Sequence, residues 1–460
     1  MIVSRRLAVL TALVFTTAGS ASAGAVPVKF ERVAGFASAG TPAKYNKVGI
    51  LRIGSPKAKN VLVLNPGTSA SAAYFQPLAK SIVAKARGWQ VWSVERRENL
   101  LEDHSVLDRA KAGKASAKQL FDYYLGWLAD SSISQHFRLI PDSEVGYARD
   151  WGMNTEIQDL RRVVQRAEKL GGKVVLGGHS LGGTITAAYA TWDFAGKAGA
   201  KGLDGLVFID GGSSTTPISK DEADKALADL NAGSPWLAFG GIAAPFAGLF
   251  NSGGSALVKI APNQPSQAQN FALLPANLKP PVPATNAATY GFALDTATSP
   301  APLAAAQAHL GHMAASGTPR RWVDGGELTP LSRFADMFSG WGLKGLDGTA
   351  WYHPLRLTID ARAVADGNAN DAQGVLDVHA THGHDLPKSL RIYAFAAALG
   401  GQRVLDAAKA LASQSGIPSR QVVLVDRHTT YAHNDPNSAS PKRNEFLKRL
   451  IPFLGSVARG

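Results

Sequence analysis

The stretch Gly177-Gly178-His179-Ser180-Leu181-Gly182-Gly183 follows the apolar run Lys173–Leu176 (KVVL) and precedes the helix-compatible run Thr184–Tyr189 (TITAAY). Its core is Gly-x-Ser-x-Gly at Gly178, Ser180 and Gly182. A strand that turns sharply into a helix drives the residue at the bend into an unfavourable backbone conformation. Glycines two residues to either side let neighbouring backbone pass where a Cβ would clash. The hydroxyl then stands clear of the sheet at the N-terminus of the next helix, whose dipole favours a developing negative charge. A plain glycine-rich turn packing a helix on a sheet can look the same over five residues. The placement between a buried strand and a helix, after three earlier strand-like runs, favours Ser180 as a nucleophile. His179 adjoins it, but at so sharp a turn the ring points away from the hydroxyl. It reads as a packing or polar neighbour and not as a base.

Outward from this turn, short apolar runs recur. Lys47–Ile53 (KVGILRI) alternates and reads as an edge strand; Val61–Leu64, Val91–Val94, Leu206–Ile209, Leu390–Phe395 and Gln421–Val425 are nearly continuous. Such runs indicate a sheet covered on both faces, which is usually parallel. Helical patterns lie between them: Ala73–Ala86, Asn154–Leu170 (closed by Gly171-Gly172), Val404–Ala412 and Asn444–Phe453. Strand and helix in alternation predict an open, doubly wound α/β sheet. The alternation breaks between about Ser213 and His384, in a stretch rich in Ala, Pro, Gly and Asn. It also carries Trp236, Phe246, Tyr290, Phe334, Trp341 and Trp351, more aromatics than a disordered linker holds. An inserted cap or lid over residues 213–384 is expected, most of its aromatics forming a small core of its own. No internal repeat is found.

Gly-His-Ser-Leu-Gly-Gly resembles the nucleophile elbow of the α/β-hydrolase lipases, esterases and thioesterases. The similarity covers the strand order through Asp210 and resumes from about Leu386. It implies an α/β-hydrolase core in two parts, 24–212 and 385–460, around the insertion. In that family a His-Gly pair after the strand matching Val61–Leu64 aims a backbone N–H at the substrate oxygen. Here the turn is Asn65-Pro66-Gly67-Thr68, a match to the glycine and not to the histidine. By position the N–H groups of Thr68 and Leu181 would form an oxyanion hole; for Gly67 a tight βα turn is the plainer reading. The resemblance places the histidine after the last strand. His433, in His433-Asn434-Asp435-Pro436, resembles the family's catalytic-histidine loop and sits deep enough to reach back over the sheet; His428 lies almost on the strand end. The acid usually follows the strand matching Leu390–Phe395, yet no carboxylate appears there before Asp406. Some members carry it one strand earlier, where Asp210-Gly211-Gly212 closes Leu206–Ile209. Asp210 is the choice over Asp406, with capping of the sheet edge as its plainer role. The resemblance thus implies Ser-His-Asp acyl transfer on a small-molecule or lipid-like ester, with no cofactor or metal. Lipase, amidase or acyltransferase activity, or a non-catalytic binding protein on the same fold, are its alternatives.

Other features bound these readings. Arg5 and Arg6, the apolar Leu7–Thr17 and Ala21-Ser22-Ala23 read as a secretory signal, residues 1–23, too short in its apolar part to span a bilayer. Export to a periplasm or beyond the cell is expected, with no later transmembrane segment. The chain has 460 residues and no cysteine, which excludes disulfides, thiol catalysis and Cys-based metal sites. The net charge of +13, or +11 without Arg5 and Arg6, is scattered. It lacks the basic stripe of a nucleic-acid binder, so no nucleic-acid partner is expected. His379, His382 and His384, with Asp385, could hold a cation but read more simply as solvated loop residues. Glu95-Arg96-Arg97 and Glu102-Asp103-His104 form a charged loop region near the same sheet edge. A buried Glu–Arg pair is the simple reading there, and a substrate-carboxylate clamp through Arg96 or Arg97 the sharper one.

Overall fold

The computed structural model describes residues 25–214 and 216–460. The expected signal, 1–23, lies outside them. Eight strands form one sheet: β1 (Val28–Ala34), β2 (Lys47–Ile53), β3 (Asn60–Asn65), β4 (Trp89–Glu95), β5 (Val174–His179), β6 (Gly205–Ile209), β7 (Arg391–Ala396) and β8 (Val422–Asp426). Their order is β1-β2-β4-β3-β5-β6-β7-β8. The β1–β2 and β2–β4 pairs are antiparallel and the rest parallel. This is the α/β-hydrolase fold. One expectation is corrected: β2 is not at the edge, because β1 pairs outside it. Lys29, Glu31 and Arg32 break up the apolar pattern of β1, as suits a strand whose outer edge meets solvent.

The period of two along each central strand sends alternate side chains to opposite faces. Val61, Val63, Leu176, Leu206 and Phe208 pack under the helices Met153–Glu168, Leu181–Thr191 and Gln402–Gln414. Leu62, Leu64, Val175, Val207 and Ile209 pack under Gln76–Lys85 and Glu445–Ala458. The last helix starts where Asn444 accepts the Leu447 N–H at 2.9 Å. Between β6 and β7 the chain forms several further helices. Lys220–Ala232, Leu355–Ala361 and Asp371–Leu376 join the first face. Phe246–Ile260 and Asn286–Leu294 stand at the C-terminal end of the sheet.

A third apolar core lies away from the sheet. Leu120, Tyr124 and Phe137, from the segment between β4 and the helix Met153–Glu168, pack there with Trp236, Leu249 and Trp351. The sequence pattern alone gives no place to the helices Ser105–Lys111 and Ala117–Tyr124 in such a core. Each is under three turns long, so its apolar period is hard to tell from a loop. Among the described residues, no helix is long and apolar enough to cross a membrane.

Candidate active site

Ser180 follows β5 with φ 57° and ψ −127°, a backbone conformation that costs a residue with a Cβ about 1–3 kcal/mol. Close backbone packing holds it there. The Ser180 N–H donates to the Ile209 carbonyl at 3.0 Å, and the Gly183 N–H donates to the Ser180 carbonyl at 2.8 Å. A Cβ on Gly178 would lie 2.0 Å from the Gly182 carbonyl oxygen, and one on Gly182 would lie 2.1 Å from that of Asn65. The glycines at these two positions are steric necessities of the turn.

Asp210 and His433 meet in space across 223 residues of sequence. His433 Nδ1 lies 2.6 Å from Asp210 Oδ2, with both side chains buried. Asp210 closes β6, as expected. The turn after β7, which lacks an acid, supplies donors instead: Ala397 and Gly400 N–H donate to Oδ1 at 2.7 and 3.0 Å, and Leu399 N–H to Oδ2 at 3.2 Å. Burial pushes the Asp210 carboxyl up, but the His433 hydrogen bond and charge, with the Ala397 amide, outweigh it and hold the group below its ordinary range. Asp406 is exposed on the helix Gln402–Gln414, bonded to Gln402 at 2.9 Å, and does not reach His433. His428 is paired with Asp426 at 2.6 Å at the end of β8.

Ser180, His433, Gly67 and Thr68 line one cavity. No hydrogen bond joins Ser180 Oγ to His433 in this conformation; such contacts are often long before substrate binds. The backbone N–H groups of Thr68 and Leu181 have no acceptor within the described residues, which leaves both free for an oxygen. The loop carrying Thr68 is clamped from behind. Buried Arg96 donates to the carbonyls of Pro66 (2.9 Å), Gly67 (3.0 Å) and Ala70 (2.8 Å) and pairs with Glu98 at 2.7 Å. Arg97 is committed to Asp159 at 2.7 Å. Neither guanidinium is available to a substrate carboxylate, and the ion pairs use Glu98 and Asp159, not Glu95.

His179 packs against His433 and lines the same cavity as Ser180. Its ring lies 4.2 Å from that of His433, centroid to centroid, and 5.4 Å from that of Tyr74. Its Nε2 is 2.8 Å from the His433 carbonyl, which can only accept, so this nitrogen carries the proton. Burial, with His433 nearby, keeps the ring well below its ordinary pKa and hence neutral. Tyr74 also bonds Asn434, and Asn437 donates to the Tyr74 hydroxyl at 2.9 Å. Sequence reasoning missed Tyr74, Asn434 and Asn437, since isolated polar residues carry no periodic signal. Asp435 fixes the same loop by accepting from Ala432 N–H at 2.7 Å and Thr329 at 2.8 Å. The surface histidines do not converge: His379 pairs with Asp377 at 2.8 Å and His382 with Asp385 at 2.7 Å.

Beneath the Arg96 clamp sits Glu156, whose carboxyl burial pushes up to about 8. Arg96 works against that shift, and Glu98 and Asp159 add to it. An unfolded Glu ionises near 4.5, so between that pH and about 8 the native state holds a proton that the unfolded state has lost. Stability from this group is full below 4.5 and falls as pH rises to about 8. Glu156→Gln removes the titration. Urea unfolding at about pH 5.5 and about pH 8.5, on either side of the folded-state value, is expected to show a smaller loss of stability with pH in the variant than in the wild type.

No family model and no curated protein matches the chain. Several solved structures are similar at low identity. A candidate lipase from Sulfolobus solfataricus shares 14% identity over 94% of both chains, with a TM-score of 0.49. The thioesterase domain from the curacin biosynthetic pathway shares 12% over 94% of this chain and 99% of that one, with a TM-score of 0.39. A thermophilic esterase from Thermogutta terrifontis shares 12% over the same proportions, with a TM-score of 0.38. The fold rests on the strand order above, and the function on the site's own geometry.

Proposed function

We propose that this chain is an exported serine hydrolase that cleaves carboxylic esters through an acyl-enzyme. The observation that carries the proposal is the buried Asp210–His433 pair at 2.6 Å, opening on the cavity that holds the strained Ser180. His433 uses Nε2 to take the Ser180 proton as the hydroxyl attacks the ester carbonyl. Asp210 holds the other nitrogen and stabilises the imidazolium. The Thr68 and Leu181 N–H groups receive the oxyanion, each such donor being worth about 3 kcal/mol in the transition state. The proton passes to the leaving alcohol, and water activated by His433 releases the acid. The reaction draws on no cofactor. Within residues 213–384, the part at the C-terminal end of the sheet, with the helices Phe246–Ile260 and Asn286–Leu294, acts as the cap. A fluorophosphonate probe tests the reading: adduct at Ser180, lost in His433→Ala, supports it, and folded wild-type protein that takes no label sinks it in favour of a binding role. Added acceptor alcohol that diverts product to a new ester would make the protein an acyltransferase.

The substrate's acyl or alcohol part is apolar on this reading. The Ser180 cavity adjoins a second, larger one, and both use Phe239, Ala247, Asn251 and Ala306 in their walls. The larger is lined mainly by apolar groups, among them Leu120, Phe250 and Leu257. A buried methylene contributes about 0.8 kcal/mol, or about fourfold in kcat/KM. With p-nitrophenyl esters, kcat/KM is expected to climb by up to this factor per added carbon from acetate towards octanoate. A preference for acetate would detach the larger cavity from the reaction.

A further inference from the structure

Glu102, His104 and Asp347 do not line the Ser180 cavity, and the hydrolase reading gives them no role. Each offers one ligand atom, and all three atoms lie within 4.8 Å of one another. Among the described residues no other group of three such side chains converges in this way. The side chains are buried, that of His104 being 9% exposed and those of Glu102 and Asp347 0%. His104 Nε2 is 3.2 Å from Glu102 Oε2 and 3.5 Å from Asp347 Oδ2. Those contacts lack hydrogen-bond geometry: Glu102 Oε2 and His104 Nε2 are both buried without a hydrogen-bond partner. A buried polar atom left without a partner is costly.

The spacing suits an ion between them. Zinc bonds of about 2.0–2.2 Å to nitrogen and carboxylate oxygen, in a tetrahedral site, set neighbouring ligand atoms about 3.4 Å apart. The remaining carboxylate oxygens are already oriented by other donors, as metal ligands usually are. Glu102 Oε1 accepts the Trp351 N–H at 2.7 Å. Asp347 Oδ1 accepts from Thr349 N–H at 2.7 Å and from its hydroxyl at 2.9 Å, while Oδ2 takes the Trp351 indole N–H at 2.9 Å.

We propose that Glu102, His104 and Asp347 form a binding site for a divalent transition-metal ion of the zinc type, with water as the fourth ligand, which braces the oxyanion loop. The brace follows from the connections of Asp347. Its carbonyl accepts the Ser71 hydroxyl, the Gly348 carbonyl accepts Ser71 N–H at 3.2 Å, and Ala350 N–H donates to the Ser69 carbonyl at 2.9 Å. An ion here ties the segment after β4 to the 347–351 segment, and through it to the residues next to Thr68. Three ligands and a water also describe an open catalytic metal, but none of the three residues lines the Ser180 cavity, so its role is structural.

The test uses the full mature chain, produced without a histidine tag and stripped with EDTA. Titration with zinc chloride is expected to show one equivalent bound and a raised melting temperature. His104→Gln and Glu102→Gln are expected to weaken binding by about 100-fold or more, losing a ligand costing at least as much as losing its supporting partner. His382→Gln, on the surface, leaves it unchanged. If the site variants fail to fold by circular dichroism, X-ray absorption of the wild-type zinc form decides. One imidazole with oxygen ligands supports the site, and several imidazoles or water alone overturn it. Wild type that binds no zinc, or binds it equally after His104→Gln in a folded protein, also overturns the proposal. The cluster is then a histidine cation held between two carboxylates. Adduct at Ser180 and zinc binding are read separately, so the two proposals fail separately: labelled protein that binds no zinc overturns only the metal site, and unlabelled folded protein that binds zinc overturns only the hydrolase reading.

Discussion

Ser180→Ala is expected to lower ester turnover by about 10⁵–10⁶-fold while leaving the fold intact, because the nucleophile and its base act as one unit and neither retains function alone. The expectation is specific to the geometry at this residue. The turn holds Ser180 at φ 57° between β5 and the helix Leu181–Thr191, and the Gly67 backbone approaches so closely that a Cβ there would sit 2.9 Å from the Ser180 Cβ. Alanine fits the same space as serine and bears the same backbone strain, so the melting temperature should change little. Ser180→Gly separates strain from chemistry. Glycine adopts this conformation at little cost, so that variant is expected to be inactive and more stable by about 1 kcal/mol. Steady-state hydrolysis of p-nitrophenyl butyrate and thermal unfolding of the three proteins provide the comparison. An alanine variant keeping more than a hundredth of the activity would place the chemistry elsewhere.

The elbow was legible in sequence because its requirements are local. Each glycine answers a contact within a few ångströms, and the flanking runs carry strong strand and helix patterns. The apolar central strands were legible for the same reason. The edge strand β1 was not, since its alternation is diluted by charge. Asp210 and His433 could be placed at the correct sheet edge, but their meeting depends on the turn after β7, whose Ala397–Gly400 amides leave no trace as a motif. The Arg96 clamp escaped for a related reason. Its partners are backbone carbonyls of Pro66, Gly67 and Ala70, which any residue type could supply. The larger cavity is assembled from the segment after β4 and from the segment between β6 and β7, and neither alone shows a concave surface.

Asp210→Asn is expected to cost about 10⁴-fold in kcat, with Asp406→Asn unchanged, and the reason lies in which atoms face the carboxylate. Asp210 Oδ1 faces two N–H donors, from Ala397 and Gly400, and Oδ2 faces a third from Leu399 as well as His433 Nδ1. All of these want an acceptor. An asparagine must turn its oxygen to the paired amides at Oδ1 and its NH₂ to His433. The imidazole then satisfies the NH₂ by becoming an acceptor at Nδ1, which moves its proton to Nε2, the nitrogen that has to take the proton of Ser180. The variant is thus folded but holds the wrong tautomer. A second consequence separates this from simple loss of packing. Asp210 stays ionised in the wild type, its pKa held down against burial, so its own protonation costs activity only below the ordinary carboxylate range, a loss on acidification that the asparagine variant cannot show. Full activity in the variant would reduce Asp210 to a cap on the sheet edge, and the fluorophosphonate labelling rate, measured on the same samples, would then have to be explained by His433 alone.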